Sequence, residues 1–103
     1  MAELLVLTEN IDEPGIADDI AVYERLGGYK ALRKALLEMD PETVLKELEA
    51  SGLRGRGGAG FSMGKKASFI PHGQMDKYLC CNADESEPGT FKDRLLMQKQ
   101  PHC

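Results

Sequence analysis

Long apolar runs are missing from this chain of 103 residues. A run such as Leu4–Leu7 holds four residues, far below the roughly 20 that cross a bilayer as a helix, so no membrane span is expected. The N-terminus has neither a basic flank nor a long apolar core, so neither a secretory signal nor a transit peptide is expected in it. Cysteine is scarce and irregular: Cys80, Cys81 and Cys103 are an odd count with no framework spacing, so a disulfide scaffold is excluded. No C-x-x-C occurs, and His102-Cys103 alone is not a site, so no zinc or iron–sulfur centre is read here. Cys80 and Cys81 fall in an apolar stretch, Tyr78-Leu79-Cys80-Cys81, and are expected to be small buried residues on opposite faces of a strand. Reduced thiols of this kind fit a cytosolic face. A basic excess is also lacking: the net charge is −4, which argues against nucleic acid as a partner.

What is present is an ordinary globular composition, 42% hydrophobic and 29% charged, enough for one small domain. The charge is divided. Residues 1–50 carry twelve Asp/Glu against five Lys/Arg, a net of −7, and residues 51–103 carry five against eight, a net of +3. Glycine is divided too. Six of eleven glycines (Gly52, Gly55, Gly57, Gly58, Gly60, Gly64) crowd into thirteen residues at the head of the basic half, which suggests an anionic ligand there.

Residues 1–27 read as an acidic, solvated arm, with Leu4–Leu7 as a short strand or extended segment and Asp12-Glu13-Pro14-Gly15 as a turn. After Gly27-Gly28 a helix is expected, with Leu32, Leu36 and Met39 forming an apolar stripe. Asp40-Pro41 ends that helix and starts another, Asp40 as its N-cap and Pro41 at its first position. Val44, Leu45 and Leu48 form its buried face, and Gly52 caps its C-terminus. Both stripes are expected in a core. Residues 53–67 are too rich in glycine for regular structure. Lys77–Asn82 reads as a buried strand, Ala83–Gly89 as an acidic loop, and the residues after Thr90 as a last helix. Thr90 would cap that helix with Asp93 as its capping-box partner; Leu95 and Leu96 would pack inward, and Pro101 would end it.

Gly55-x-Gly57-x-x-Gly60 matches the dinucleotide fingerprint in letters but lacks its context, because a helix precedes it instead of a strand. Gly64-Lys65-Lys66 lacks the Ser or Thr that follows a P-loop lysine. The physical content remains. Successive glycines let backbone N–H groups form an anion-binding nest, and Arg54, Arg56, Lys65 and Lys66 surround it with positive charge. Phe61 and Phe69 add aromatic faces that suit a nucleotide better than bare phosphate. A flexible hinge with basic solvation is the plain alternative. The second constellation, Asn82-Ala83-Asp84-Glu85-Ser86-Glu87, ends the expected strand where α/β proteins place ligand contacts. A solvated acidic turn is its plain alternative.

The stretches Ser51–Phe61 with Gly64 and Lys66, Tyr78-Leu79, and Asn82–Arg94, with Gly27-Gly28-Tyr29 and Ala31-Leu32 before them, closely resemble the flavin- and NADH-binding subunit of respiratory complex I, the NADH:quinone oxidoreductase. The resemblance covers roughly residues 20–102. It implies an α/β fold in which N-terminal helices, the glycine-rich loop and the first strands of an FMN-binding domain occupy residues 28–103, incomplete at Cys103. It implies FMN and NAD(H) as cofactors, hydride transfer from NADH to FMN, and onward electron transfer through iron–sulfur clusters to quinone. By matching position, Gly55, Gly57 and Lys66 would lie against FMN, within a nucleotide loop that includes Gly58, Gly60 and Gly64. Asn82 and Asp84 would hydrogen-bond the flavin. Phe61 and Phe69 would stack on the adenine end of NADH, Glu87 would contact NADH, Glu85 would tune the flavin, and Ser86 would be a weaker contact. The implied partners are a thioredoxin-like [2Fe–2S] subunit and the large iron–sulfur subunit of the peripheral arm, on the cytoplasmic side of a bacterial inner membrane.

Departures from the family pattern are Ser62-Met63 in place of its usual Pro-Thr and Ala67 in place of its usual Trp. They are expected to loosen the loop and remove packing. The family's cysteine-rich [4Fe–4S] motif and its second flavin motif are not in this sequence, so the chain reads as an N-terminal fragment or truncated product without quinone turnover of its own. Diaphorase subunits of NAD-linked hydrogenases or formate dehydrogenases share these motifs. A non-catalytic nucleotide- or phosphate-binding module using the glycine loop alone is the reading from another class.

Overall fold

A computed structural model describes residues 2–103; Met1, at the start of the expected arm, lies outside the described residues. Among the described residues five helices form: α1 (Ile20–Arg25), α2 (Lys30–Glu38), α3 (Pro41–Ala50), α4 (Met63–Ser68) and α5 (Lys92–Lys99). Among the described residues there is no β-ladder, only an isolated antiparallel bridge between Arg54 and Ser62. The chain divides into two compact units, one made of the stretch up to Lys30 with Tyr78–Cys103, the other of Ala31–Lys77.

In the first unit, turns through Gly15 (φ +84°) lead into α1, which Asp19 caps by accepting the Ala21 N–H at 2.9 Å. Ile16 is the buried hydrophobic residue of this unit. Gly27 (φ +99°) breaks the chain after α1, and the Tyr23 ring lies directly on Gly28. Tyr29 itself has φ +64°, a left-handed conformation uncommon for an aromatic residue. Its ring meets Tyr23 edge-on at 4.9 Å, and His102 stacks on Tyr23 at 5.7 Å. The stretch around Tyr23 and Tyr29 and the distant His102 are thereby joined by aromatic contact.

In the second unit, α2 and α3 meet at Asp40-Pro41 as the sequence predicts. The Asp40 carboxylate accepts the Thr43 N–H at 2.7 Å, and Pro41 occupies the first turn. Thr43's backbone amide holds the Asp40 carboxyl below its ordinary value. Gly52, at φ +68°, follows the last turn of α3 in the left-handed position expected of a C-terminal cap. α3 and α4 are the one pair of helices in more than glancing contact among the described residues.

Several expectations are corrected. Of the two readings of Leu4–Leu7, the strand does not form, and the four residues are exposed. Residues 1–27 are not simply a solvated arm: α1 forms there, held by Asp19 and Tyr23. Residues 53–67 are not wholly irregular, because Ser62 caps α4. The expected buried strand Lys77–Asn82 is absent. Tyr78 and Leu79 are almost fully exposed, Cys80 and Cys81 are exposed, and no neighbouring strand pairs with them among the described residues. A strand needs a ladder partner, and periodicity alone does not supply one.

The α2 and α3 stripes do not close into a core. Leu32 and Leu36 are 53% and 72% exposed. Leu36, Met39, Val44, Leu45, Leu48 and Ile70 line an open apolar groove of about 640 Å³. In the last helix Leu96 is half-buried, but Leu95 is exposed. Thr90 does not cap that helix; its hydroxyl donates to the Glu87 carbonyl at 2.6 Å.

Candidate functional site

The glycine loop grows from two helix ends. Its first leg leaves α3 through Gly52 and Leu53, and its second leg runs through Ser62 into α4. A short neck ties the legs together: Gly55 N–H donates to the Phe61 carbonyl and Met63 N–H to the Leu53 carbonyl, each at 2.9 Å, on either side of the Arg54–Ser62 bridge. Ser62 also accepts the Lys65 N–H on its side chain at 3.3 Å. From sequence, Ser62 in place of the family's proline is expected to loosen the loop. The structure makes it both a neck residue and a helix cap, and the legible signal for this is a serine three residues before Lys65.

Above the neck, among the described residues, the backbone N–H groups of 56–61 donate to no protein acceptor. Gly58 (φ +101°) and Gly60 (φ +60°) require glycine for their conformation. Gly57, Gly58 and Gly60 face open space, with nothing within 4 Å of an ideal Cβ. Arg54, Arg56, Lys65 and Lys66 are exposed and form no ion pair among the described residues. Phe61 and Phe69 sit with ring centroids 6.2 Å apart, tilted by 43°. Unpaired donors, four free cations and two aromatic faces form a surface suited to a phosphorylated aromatic ligand.

Gly64 stands apart from the other glycines of the motif. It is buried inside α4, and a Cβ there would lie 2.6 Å from the Glu49 nitrogen and 2.9 Å from its Cα. Space, not dihedral angle, demands a glycine at this position.

The acidic stretch lies in the other unit and is bonded to itself. Asn82 Oδ1 accepts the Asp84 N–H at 3.0 Å, and the Ser86 hydroxyl reaches both Asp84 carboxylate oxygens at 2.7 and 2.8 Å. Glu85 is half-buried, and its two oxygens accept the Asp93 and Arg94 N–H groups at 3.0 and 2.8 Å, so Glu85 caps α5. The Glu87 carboxylate and the Asn82 amide nitrogen have no partner among the described residues and are the groups left to meet a ligand. Lys92, paired with Asp93 at 2.6 Å, is pushed above its ordinary value by that hydrogen bond. The structure thus brings Gly55, Gly57, Gly58, Gly60, Phe61, Gly64, Lys66 and Phe69 together in one unit, and Asn82, Asp84, Glu85, Ser86 and Glu87 in the other.

Among the described residues no group of three or more His, Cys, Asp or Glu side chains is arranged to hold a metal ion. The residues present therefore do not fit an iron–sulfur cluster, and no step is assigned to one.

Residues 48–103 match the family described as the Nuo51 FMN-binding domain. The chain is 54% identical over 98 residues to an NADH-quinone oxidoreductase subunit of Rhizobium meliloti, covering 94% of this chain and 23% of that protein. It is 54% identical over 80 residues to the corresponding NADH-quinone oxidoreductase subunit of Aquifex aeolicus and 50% identical over 82 residues to that of Escherichia coli, in each case 78% of this chain and 18% of the relative. The chain thus spans about a fifth of the length of these curated relatives.

Proposed function

The chain belongs to the Nuo51 FMN-binding domain family, and on that footing we propose that it supplies the FMN- and NADH-contacting surface of an NADH:quinone oxidoreductase flavoprotein, with residues 28–103 as the N-terminal part of its binding domain. The observation that carries this reading is the loop of residues 56–61, whose N–H groups have no protein acceptor among the described residues and lie beside four cations that form no ion pair there. Such a surface fits the FMN phosphate. Bound there, FMN would supply acceptance of a hydride from NADH and onward release of its electrons one at a time.

This chain's own residues bind and orient. The amides near Gly57, Gly58 and Gly60 with Lys66 hold the phosphate end. The Asn82 amide meets the flavin's heterocyclic edge, with Asp84 beside it braced by Ser86. Phe61 and Phe69 offer stacking faces to the adenine of NADH. Glu87 presents a free carboxylate to the nicotinamide nucleotide, and Glu85 adds charge beside it while holding α5. The α/β architecture belongs to the same proposal: Lys77–Asn82 takes up strand pairing when a neighbouring strand is beside it.

The partners are the thioredoxin-like [2Fe–2S] subunit and the large iron–sulfur subunit of the peripheral arm, at the cytoplasmic face of a bacterial inner membrane. Among the described residues no helix is long and apolar enough to cross a membrane. The relatives are NADH-quinone oxidoreductase subunits, which supports that assembly over a hydrogenase or formate dehydrogenase diaphorase.

Titration of FMN into the 103-residue chain, followed by flavin fluorescence, tests this reading. Saturable binding that is too weak to survive gel filtration, is not displaced by ATP or phosphate, and is weakened by Asn82→Ala is the expected result. Competition by ATP and phosphate with Asn82→Ala silent would instead establish a simple phosphate-binding module. Robust FMN-dependent NADH oxidation by the chain alone would overturn the view that it lacks turnover of its own.

A further inference from the structure

We infer that Gly64 is a positioning residue: by letting α4 seat on the backbone of α3, it holds the neck of the glycine loop closed and so fixes how the loop's amides are presented, without itself touching a ligand. The inference rests on the proposed flavin site and adds to it the element that supports the loop.

The glycines of the motif fall into two physical classes. Gly58 and Gly60 have positive φ and open space around them, so they serve the loop's own conformation. Gly64 lies within α4, has no positive φ, and is buried against α3. Two of its three close neighbours are the nitrogen and Cα of Glu49, which no rotamer change can move, and only the third, Cγ at 2.6 Å, belongs to a flexible side chain. A methyl group at Gly64 therefore pushes the two helices apart.

That separation reaches the loop directly. Leu53 follows the C-terminal cap of α3, and Met63 is the first residue of α4. The Met63-to-Leu53 hydrogen bond spans the same gap that Gly64 closes, and Gly55-to-Phe61 lies one step further up the neck. Opening the helix pair stretches the first bond and frees the second, and the loop above loses its fixed base.

Two substitutions in the whole chain separate the helix packing from the neck bond. Gly64→Ala introduces the clash. Met63→Pro leaves the helix packing alone but removes the neck donor; proline suits the first helical position, and Ser62 already has the extended ψ of 125° that a residue before proline prefers. Amide exchange measured by NMR should quicken at Gly55 about tenfold in both variants, and at Met63 in Gly64→Ala, with α5 amides unchanged. FMN affinity, read by fluorescence, should fall about tenfold in Gly64→Ala and about fivefold in Met63→Pro, with the absorption spectrum of bound flavin unaltered. Adding Glu49→Ala to Gly64→Ala should restore only part of the loss, because the backbone contacts remain.

Unchanged exchange at the neck in Gly64→Ala overturns the inference whatever FMN does. A loosened neck with full FMN affinity in both variants also overturns it, as does an altered bound-flavin spectrum. Should Gly64→Ala fail to fold, Met63→Pro decides alone, and full affinity in it refutes the role of the neck. If the unaltered chain shows no FMN binding, the flavin reading falls and with it the ligand-presenting role, and neck exchange then reports on the helix packing by itself.

Discussion

The Tyr29 hydroxyl and His102 Nδ1 are hydrogen-bonded at 2.8 Å across 73 residues of sequence. The bond closes one unit on itself and holds an aromatic residue in a left-handed conformation that it would not otherwise favour. Tyr29→Phe keeps the ring contacts with Tyr23 and removes only the hydrogen bond. It should cost about 1 kcal/mol and lower the thermal midpoint. Equal midpoints for the Phe variant and the unaltered chain in circular dichroism would refute this.

Glu85 gives a second test. Both carboxylate oxygens accept amides of the first turn of α5, so Glu85→Ala should destabilise that helix by about 1 kcal/mol. Glu85→Gln, which keeps one acceptor oxygen, should lose less. Hydrogen exchange at Asp93 and Arg94 measures it directly, and protection as strong in the alanine variant as in the unaltered chain would remove Glu85 from the cap.

The start of α3 should respond to acid. The Thr43 N–H depresses the Asp40 carboxyl from its ordinary 3.8, so the folded state binds that proton less readily than the unfolded one. The stabilisation is complete above the ordinary value and is lost as pH falls through the depressed folded value. Asp40→Asn keeps an acceptor for Thr43 but no titratable charge. The Thr43 amide shift should therefore move with acid in the unaltered chain and stay flat in the variant.

Gly57 and Gly58 separate binding from folding. Gly58→Ala places a side chain at φ +101° and should destabilise the loop outright. Gly57 has neither a positive φ nor an atom within 4 Å of its ideal Cβ, so Gly57→Ala should leave stability unchanged or slightly raised. Under the flavin proposal it should still weaken FMN binding, since a methyl group now stands where the backbone meets the ligand. Unimpaired binding in Gly57→Ala would exclude close approach at that residue.

The parts of this chain that can be read from sequence are those whose signals are local. Asp40, Pro41 and Gly52 act on amides and dihedral angles within a few residues, and the α3 boundaries they predict are observed. α1 is hidden because it is only six residues long and its hold comes from Tyr29 and His102, not from periodicity. α4 is hidden by the glycines around it, one of which proves to be a packing residue. Lys77–Asn82 has the composition of a strand but lacks a partner among the described residues. At the site, the glycine loop and the acidic stretch stand out by composition. The cap supplied by Glu85 does not, because its partners are eight and nine residues away.

The open groove beside Leu36, Met39 and Leu48 has a thermodynamic consequence. Little apolar surface is withdrawn from water, with Ile16 as the buried hydrophobic side chain. Unfolding should therefore change the heat capacity by less than the roughly 12–15 cal/mol/K per residue of well-packed domains. The stability curve should be shallow, the denaturant slope small, and the thermal transition broad. An apolar surface that covers the groove should steepen all three.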